Sequence, residues 1–190
     1  VNGTPCMTGL ACLALDDAER LMNWADVTGA MSFEALRGQL VAFDAEILAL
    51  KASPGIQTSG QRLRELLAGS RLLAESEGLR TQDALSLRSM PQVHGACRDQ
   101  FSHAQTQINI ELNACTDNPL ILGTLEQWRV VSQAHPHGES VAMACDLLAI
   151  AMAELGAIAE RRLDRLVNPL VSGLPAFLVA RPGVNSGMMI

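Results

Sequence analysis

The chain has 190 residues, 48% of them hydrophobic but only 3% aromatic, with no tyrosine and a formal net charge of −6. That length suffices for one good core. A core drawn from Ala, Leu, Val, Ile and Met favours closely approached helices over a β-sandwich, which recruits aromatic and β-branched residues. The acidic balance, with no basic run and no aromatic interleaving, argues against a nucleic-acid surface.

Thr4 followed by Pro5 starts the first helix, a hydroxyl N-cap and then a proline whose missing N–H costs nothing there. Apolar residues recur at Met7, Leu10, Leu13, Leu15, Leu21 and Trp24, and Gly29 is expected to end or interrupt the helix. A shorter helix runs from Ser32 towards Leu40, and Phe43-Asp44 through Leu50 is a weaker helical patch. Ser53-Pro54-Gly55 breaks the chain and Ile56 to Ser59 reads as loop. Gln61 to Glu75 is helical, with Leu63, Leu66, Leu67 and Leu73 on one face.

Gln92 to Cys115 has the cleanest periodicity, through Ala96, Phe101, Ala104, Ile108, Leu112 and Cys115. Asp117-Asn118-Pro119 stops it, because the residue before proline is pushed out of the helical region. Leu120 to Val131 can hold a short hairpin or an extended piece around Gly123. Glu139 to Leu166 is the longest expected helix, roughly 40 Å, and Asn168-Pro169 ends it before a Pro/Gly-rich, loop-like tail. Its segment Gly138 to Ile158 is apolar nearly all round, yet Asp146 and Glu154 lie inside it and Arg161, Arg162 and Arg165 follow. Such charges are costly in lipid, so the segment reads as the central member of a bundle rather than a membrane span. Neighbours on every side are more than one short chain supplies, which points to a homo-oligomer.

The fold class is therefore all-α, a single helical-bundle domain over residues 1–190. Cys6, Cys12, Cys97, Cys115 and Cys145 are scattered with no C-x-x-C pair, as expected of reduced, buried thiols in a cytoplasmic protein. Val1-Asn2-Gly3-Thr4 lacks an initiating Met and has the character of a cut N-terminus.

The richest stretch for chemistry is Thr81 to Cys97, which places Gln82, Asp83, Ser86 and Arg88 within seven positions ahead of Pro91. An Arg held in a polar connection is suited to grip a small carboxylate through two parallel N–H bonds. The plain alternative is a solvated turn with a surface Arg.

The segment Gln82-Asp83-x-x-Ser86-Leu87-Arg88-x-x-Pro91-Gln92-Val93 resembles the histidine and aromatic amino acid ammonia-lyases. Further marks of that family stand in order at Asn2-Gly3-Thr4, Phe43-Asp44, Asp117-Asn118-Pro119-Leu120, His137-Gly138-Glu139, Leu174 to Leu178 and Asn185-Ser186-Gly187. The resemblance covers essentially all 190 residues but only part of a family member. It implies a long antiparallel helix bundle that is a fragment of a larger helical lyase fold, tetrameric when intact. It also implies elimination of ammonia from an L-amino acid to give an α,β-unsaturated acid. The family's cofactor is a methylidene-imidazolone made from an internal Ala-Ser-Gly, which is absent from this chain and is expected upstream.

By motif position the resemblance makes Asn2 the asparagine that hydrogen-bonds the electrophile, the logic of an oxyanion hole. Arg88 matches the arginine that holds the substrate carboxylate, and Gln82 matches a glutamine of the same pocket. Asn118 and His137 fall in matching motifs as substrate-binding candidates. Asx-turn or capping geometry explains Asn2 and Asn118 as well. Two positions depart from the pattern: Leu85 replaces a tyrosine, and Pro136 replaces a phenylalanine packed beside the electrophile.

His135, His137 and Glu139 alternate, and in an extended strand three such residues share a face and resemble metal ligands. The family's pocket is metal-free, and the expectation is no metal. His94 and His103 read as ordinary helical histidines. The function that emerges is an ammonia-lyase homologue taking an amino acid substrate, the fragment alone being inactive. The alternatives are a degenerate non-catalytic assembly subunit and a methylidene-imidazolone aminomutase. No nucleic-acid or membrane partner is expected.

Overall fold

A computed structural model describes residues 3–189 and is predominantly helical. Its elements are α1 (Pro5–Ala35), a 3-10 turn (Leu40–Phe43), α2 (Ala45–Ala49), α3 (Pro54–Leu66), α4 (Arg71–Ala74), α5 (Leu85–Arg88) and α6 (Met90–Leu112). Then come β1 (Leu120–Gly123), β2 (Trp128–Val131), α7 (Glu139–Val167), α8 (Pro169–Ser172) and a 3-10 turn (Ala176–Leu178). The chain divides into two compact units, one of Val1–Arg20 with Gln100–Ala151 and one of Leu21–Asp99 with Met152–Ile190.

In the first unit, α1 buries Thr4, Thr8, Ala11, Leu15 and Ala18, a three- and four-residue spacing that keeps one stripe inward. Phe101, Ala104 and Ile108 of α6 and Val141, Ala144, Leu148 and Ala151 of α7 are buried in the same rhythm. These stripes are rich in small residues, which let helix axes approach closely. The larger apolar residues Leu10, Leu13, Met143, Leu147 and Ile150 are exposed. So α7 is covered along one stripe only, not on every side. It is also long and apolar enough to cross a membrane by length and composition, with a third of its most apolar window buried. The expected hairpin forms: β1 and β2 pair antiparallel, Leu120 opposite Val131 and Gly123 opposite Trp128.

In the second unit, Ala30, Phe33, Leu36, Phe43, Leu63, Leu67, Leu73, Leu87, Met90 and Ile158 form one core cluster. Each large side chain of this kind contributes about 1.5–3 kcal/mol through burial. The Phe33 and Phe43 rings lie 4.6 Å apart between centroids, tilted by 35°.

Several sequence expectations are corrected here. α1 does not stop at Gly29 but continues to Ala35, and with 31 residues it exceeds the 29 of α7. A Cβ on Gly29 would lie 2.8 Å from Met90 Sδ, so this glycine serves close packing rather than a break. The real stop comes later: Arg37 takes the left-handed conformation (φ 53°), with Gly38 N–H bonding Phe33 O and Arg37 N–H bonding Glu34 O. That is the Schellman pattern with arginine where glycine is usual. Ile56 to Ser59 is helix, not loop, because Ser53 caps it, accepting from Ile56 N–H at 3.1 Å, and Pro54 opens it. α3 ends at Leu66 rather than Glu75, with Gly69 in positive φ beyond it. On α6 the inward face is His94, Cys97, Phe101, Ala104 and Ile108, while Ala96, Leu112 and Cys115 are exposed. Among the thiols only Cys97 is buried; Cys6 and Cys115 are exposed.

Candidate active site

The Gln82-Asp83 motif begins with a structural carboxylate. Asp83 is buried, accepts from Gln39 N–H at 2.5 Å, and receives Arg80 Nε at 2.5 Å. Arg80 in turn donates to the Leu36 and Arg37 carbonyls, the open C-terminus of α1. Asp83 thus fixes the connection that carries Gln82, whose own side chain is exposed.

One turn further, α5 buries Leu87 and leaves Leu85 64% exposed. Arg88 ends that helix half-buried, and its Nε is buried without a hydrogen-bond partner. Gln92 Oε1, four residues on in α6, is likewise buried and unpartnered. A buried donor without an acceptor is costly. A carboxylate approaching Arg88 would offset that cost with a charge-assisted bond. This is not the solvated surface Arg of the plain alternative.

Behind this segment, in the same unit, lies an ionic network. Asp26, 0% exposed, accepts from Arg98 Nη2 at 2.6 Å and Arg62 Nε at 3.0 Å, and lies 2.8 Å from His94 Nδ1. Burial pushes the Asp26 carboxyl up, but the His94 hydrogen bond and the Arg98 charge outweigh it and hold it below the ordinary carboxylate value. Burial drives His94 below the ordinary imidazole value, against the pull of Asp26. Arg162, 2% exposed, is pushed down to about 10 by burial, with Asp26 opposing. His94 Nε2 and Arg162 Nη1 are buried without partners. His94 is therefore no ordinary helical histidine, whereas His103 is exposed. The spacing Ala18, Met22, Asp26 sets a carboxylate in the inward stripe of α1 and is the sequence signal for this network. Burial and the Glu154 charge raise the Cys97 thiol to about 11, leaving it inert at neutral pH.

The other candidates lie in the first unit. Asn2 is outside the described residues. Gly3 has φ +77°, and a Cβ there would stand 2.4 Å from Thr116 O. Thr4 Oγ1 donates to the Glu111 carboxylate, whose other oxygen accepts from Ser140 Oγ at 3.4 Å. Asn118 is exposed and its Oδ1 accepts from Gln133 N–H at 2.8 Å, a turn role. Gln133 Nε2 donates to Asp117 O, and His135 Nδ1 lies 3.1 Å from Cys115 O. These two side chains staple the Pro136-His137 segment to the Cys115–Asn118 turn. Pro136 is half-buried and His137 exposed, its Nδ1 accepting from Glu139 N–H at 3.4 Å. His135 and His137 thus engage different partners, and among the described residues no three metal-ligating groups converge.

The family model for aromatic amino acid lyases matches residues 1–190. A histidine ammonia-lyase from Alkaliphilus metalliredigens is 45% identical over 190 residues, all of this chain and 37% of that protein. The crystal structure of histidine ammonia-lyase from Trypanosoma cruzi superposes with a TM-score of 0.87 at 41% identity, covering 100% of this chain and 35% of that one. A tyrosine aminomutase from Streptomyces globisporus gives 0.88 at 34% identity, covering 100% and 40%. The chain thus spans little more than a third of the length of the curated relatives it matches. With the match running through every residue, the chain belongs to the aromatic amino acid lyase family.

Proposed function

We propose that the complete protein carrying these residues is a histidine ammonia-lyase, eliminating ammonia to give the α,β-unsaturated acid. The observation that carries this reading is Arg88, whose buried Nε lacks a partner at the motif position for the substrate carboxylate. The β-proton of an amino acid is barely acidic and the amine leaves poorly, so substrate must be held rigidly against an electrophile. Arg88 supplies the hold through two charge-assisted bonds. Exposed Gln82 borders the same segment, and Asn118 and His137 are substrate-binding candidates by motif alone.

The residues present fit a methylidene-imidazolone. A Cβ on Gly3 would stand 2.4 Å from Thr116 O, so that position admits only glycine, and an asparagine amide such as that of Asn2 is a donor suited to an oxygen gaining charge. When bound, that group supplies the electrophile that activates the amine for departure. No Ala-Ser-Gly occurs in these 190 residues, so it comes from another segment, and the fragment alone is inactive. The exposed large apolar residues of α1 and α7 support a homo-oligomer, tetrameric in the intact protein. A cytoplasmic location accords with five cysteines, none in a disulfide.

Incubating the complete gene product with histidine, phenylalanine and tyrosine tests this. An ultraviolet rise with histidine is the expected result, and no turnover with any of the three overturns it. A second reading, a non-catalytic relative, is favoured by Leu85, which offers no acid/base group where the family has a phenol. The likeness to the tyrosine aminomutase motivates a third, in which amine migrates between carbons; product analysis separates it from elimination.

A further inference from the structure

The sequence pattern assigns no role to Glu111, which falls off the apolar stripe of α6. In the structure it is half-buried where three chain segments meet within the first unit. One carboxylate oxygen accepts from the buried hydroxyl of Thr4, at the start of α1. The other accepts from Ser140 Oγ in the first turn of α7, at 3.4 Å. Thr4 N–H reaches Thr116 Oγ1 at 3.5 Å, five residues beyond Glu111. Gly138 sits against α1 so closely that a Cβ would stand 2.4 Å from Met7 Sδ and 3.4 Å from Thr4 Cγ2.

We propose that Glu111 is a positioning residue: its carboxylate locks the start of α1 to the start of α7, and so holds the Asn2-bearing and His137-bearing segments in one arrangement. The inference rests on the lyase reading for its catalytic consequence and on the hydrogen bonds alone for its structural one. A single carboxylate takes both hydroxyls because it has two acceptor oxygens and no donor. A charged acceptor also forms a stronger bond to a hydroxyl than a neutral one does. A small displacement of site-bearing segments is enough to cost turnover without changing which groups touch substrate.

The test uses the complete gene product with Glu111→Ala, Glu111→Gln, Thr4→Val and the Glu111→Ala/Thr4→Val pair. Glu111→Ala is expected to lower kcat on the order of tenfold with a smaller change in KM. Gln keeps an acceptor for Thr4 and restores most of that loss. Thr4→Val lowers kcat as Glu111→Ala does, and the pair is no worse than either alone. Amide hydrogen exchange is expected to rise together at residues 4–8 and 139–142 in Glu111→Ala. That second readout stands even if wild type has no turnover, a result that overturns the lyase reading and leaves the positioning claim to exchange. Unchanged exchange at either helix start overturns the proposal. So does a Glu111→Ala protein of lowered melting temperature whose kcat per folded molecule equals wild type. Should Glu111→Ala fail to fold, Thr4→Val decides on the same two readouts.

Discussion

His94 Nδ1 stands 2.8 Å from Asp26 Oδ1, and the two side chains are 1% and 0% exposed. With Arg98 and Arg62 on the other oxygen, one carboxylate compensates several buried donors. Removing it leaves charge in low dielectric with nothing opposite. Asp26→Asn is expected to destabilise the fold by about 3–5 kcal/mol, read as a lowered urea midpoint at unchanged slope. An effect below 1 kcal/mol would mean that the arginines find water instead.

The same network sets a pH dependence. His94 titrates below its ordinary 6.5 when folded, so as pH falls below 6.5 the unfolded chain takes up a proton that the folded one refuses. Stability therefore declines from about pH 6.5 downward, towards the folded His94 value. Asp26, held below its ordinary 3.8, contributes stability that is present above 3.8 and lost only as pH drops through its folded value. The two losses begin at different pH, about 6.5 for His94 and 3.8 for Asp26. His94→Gln is expected to flatten the decline that begins at about pH 6.5 and to leave in place the loss that begins below 3.8, by urea unfolding at each pH.

Glycines in this chain have opposite roles that spacing alone does not reveal. A Cβ on Gly55 would lie 2.0 Å from Gly95 O, where backbone meets backbone, whereas Gly156 in α7 has nothing within 4 Å. Gly55→Ala must part the two segments and is expected to cost about 3 kcal/mol or more. Gly156→Ala is expected to stabilise by about 0.5–1 kcal/mol through helix propensity. Thermal melts of matched variants check the sign of each.

That contrast marks where the sequence was readable. Caps and breakers speak locally, so the helix start at Pro5 and the end of α7 before Asn168-Pro169 are legible, although Asn168 also caps the short α8 within the tail expected as loop. Gly29 is not legible, because whether a glycine breaks a helix or admits Met90 depends on a residue sixty positions away. The buried face of α1 is likewise not legible from its apolar residues alone. Leu10, Leu13, Leu21 and Trp24 are exposed on α1, whereas Ala11, Leu15, Ala18 and Met22 are buried. In the site, Arg88 was marked by its motif, while Glu111 and the Asp26 network are defined by contacts between distant segments.

Arg88 carries the sharpest functional expectation. Its planar fork can hold both carboxylate oxygens, and a lysine ammonium cannot. Arg88→Lys is expected to lower kcat/KM for histidine about 100-fold in the complete protein, from loss of a paired charge-assisted contact. Steady-state kinetics would show most of it in KM if the clamp only binds. A fall in kcat as well would show that it also aligns the substrate with the electrophile.

Leu85 offers a way to decide between catalytic and degenerate readings. It lies one turn before Arg88 on α5 and is largely exposed, so a phenol can be placed there without displacing core residues. Leu85→Tyr should therefore change stability by no more than about 0.5 kcal/mol. If the protein is a working lyase with a weakened proton-transfer step, the added phenol is expected to raise kcat by about 10²-fold, the usual contribution of one positioned acid/base group. If Pro136 has also removed an essential aromatic wall, only Leu85→Tyr combined with Pro136→Phe recovers turnover. The half-buried Pro136 sits in a segment stapled by the Gln133 and His135 side chains, which limits how far a phenylalanine at 136 can reposition itself. A double variant still inert towards histidine, with melting temperature and oligomeric state intact, would leave the assembly-subunit reading standing.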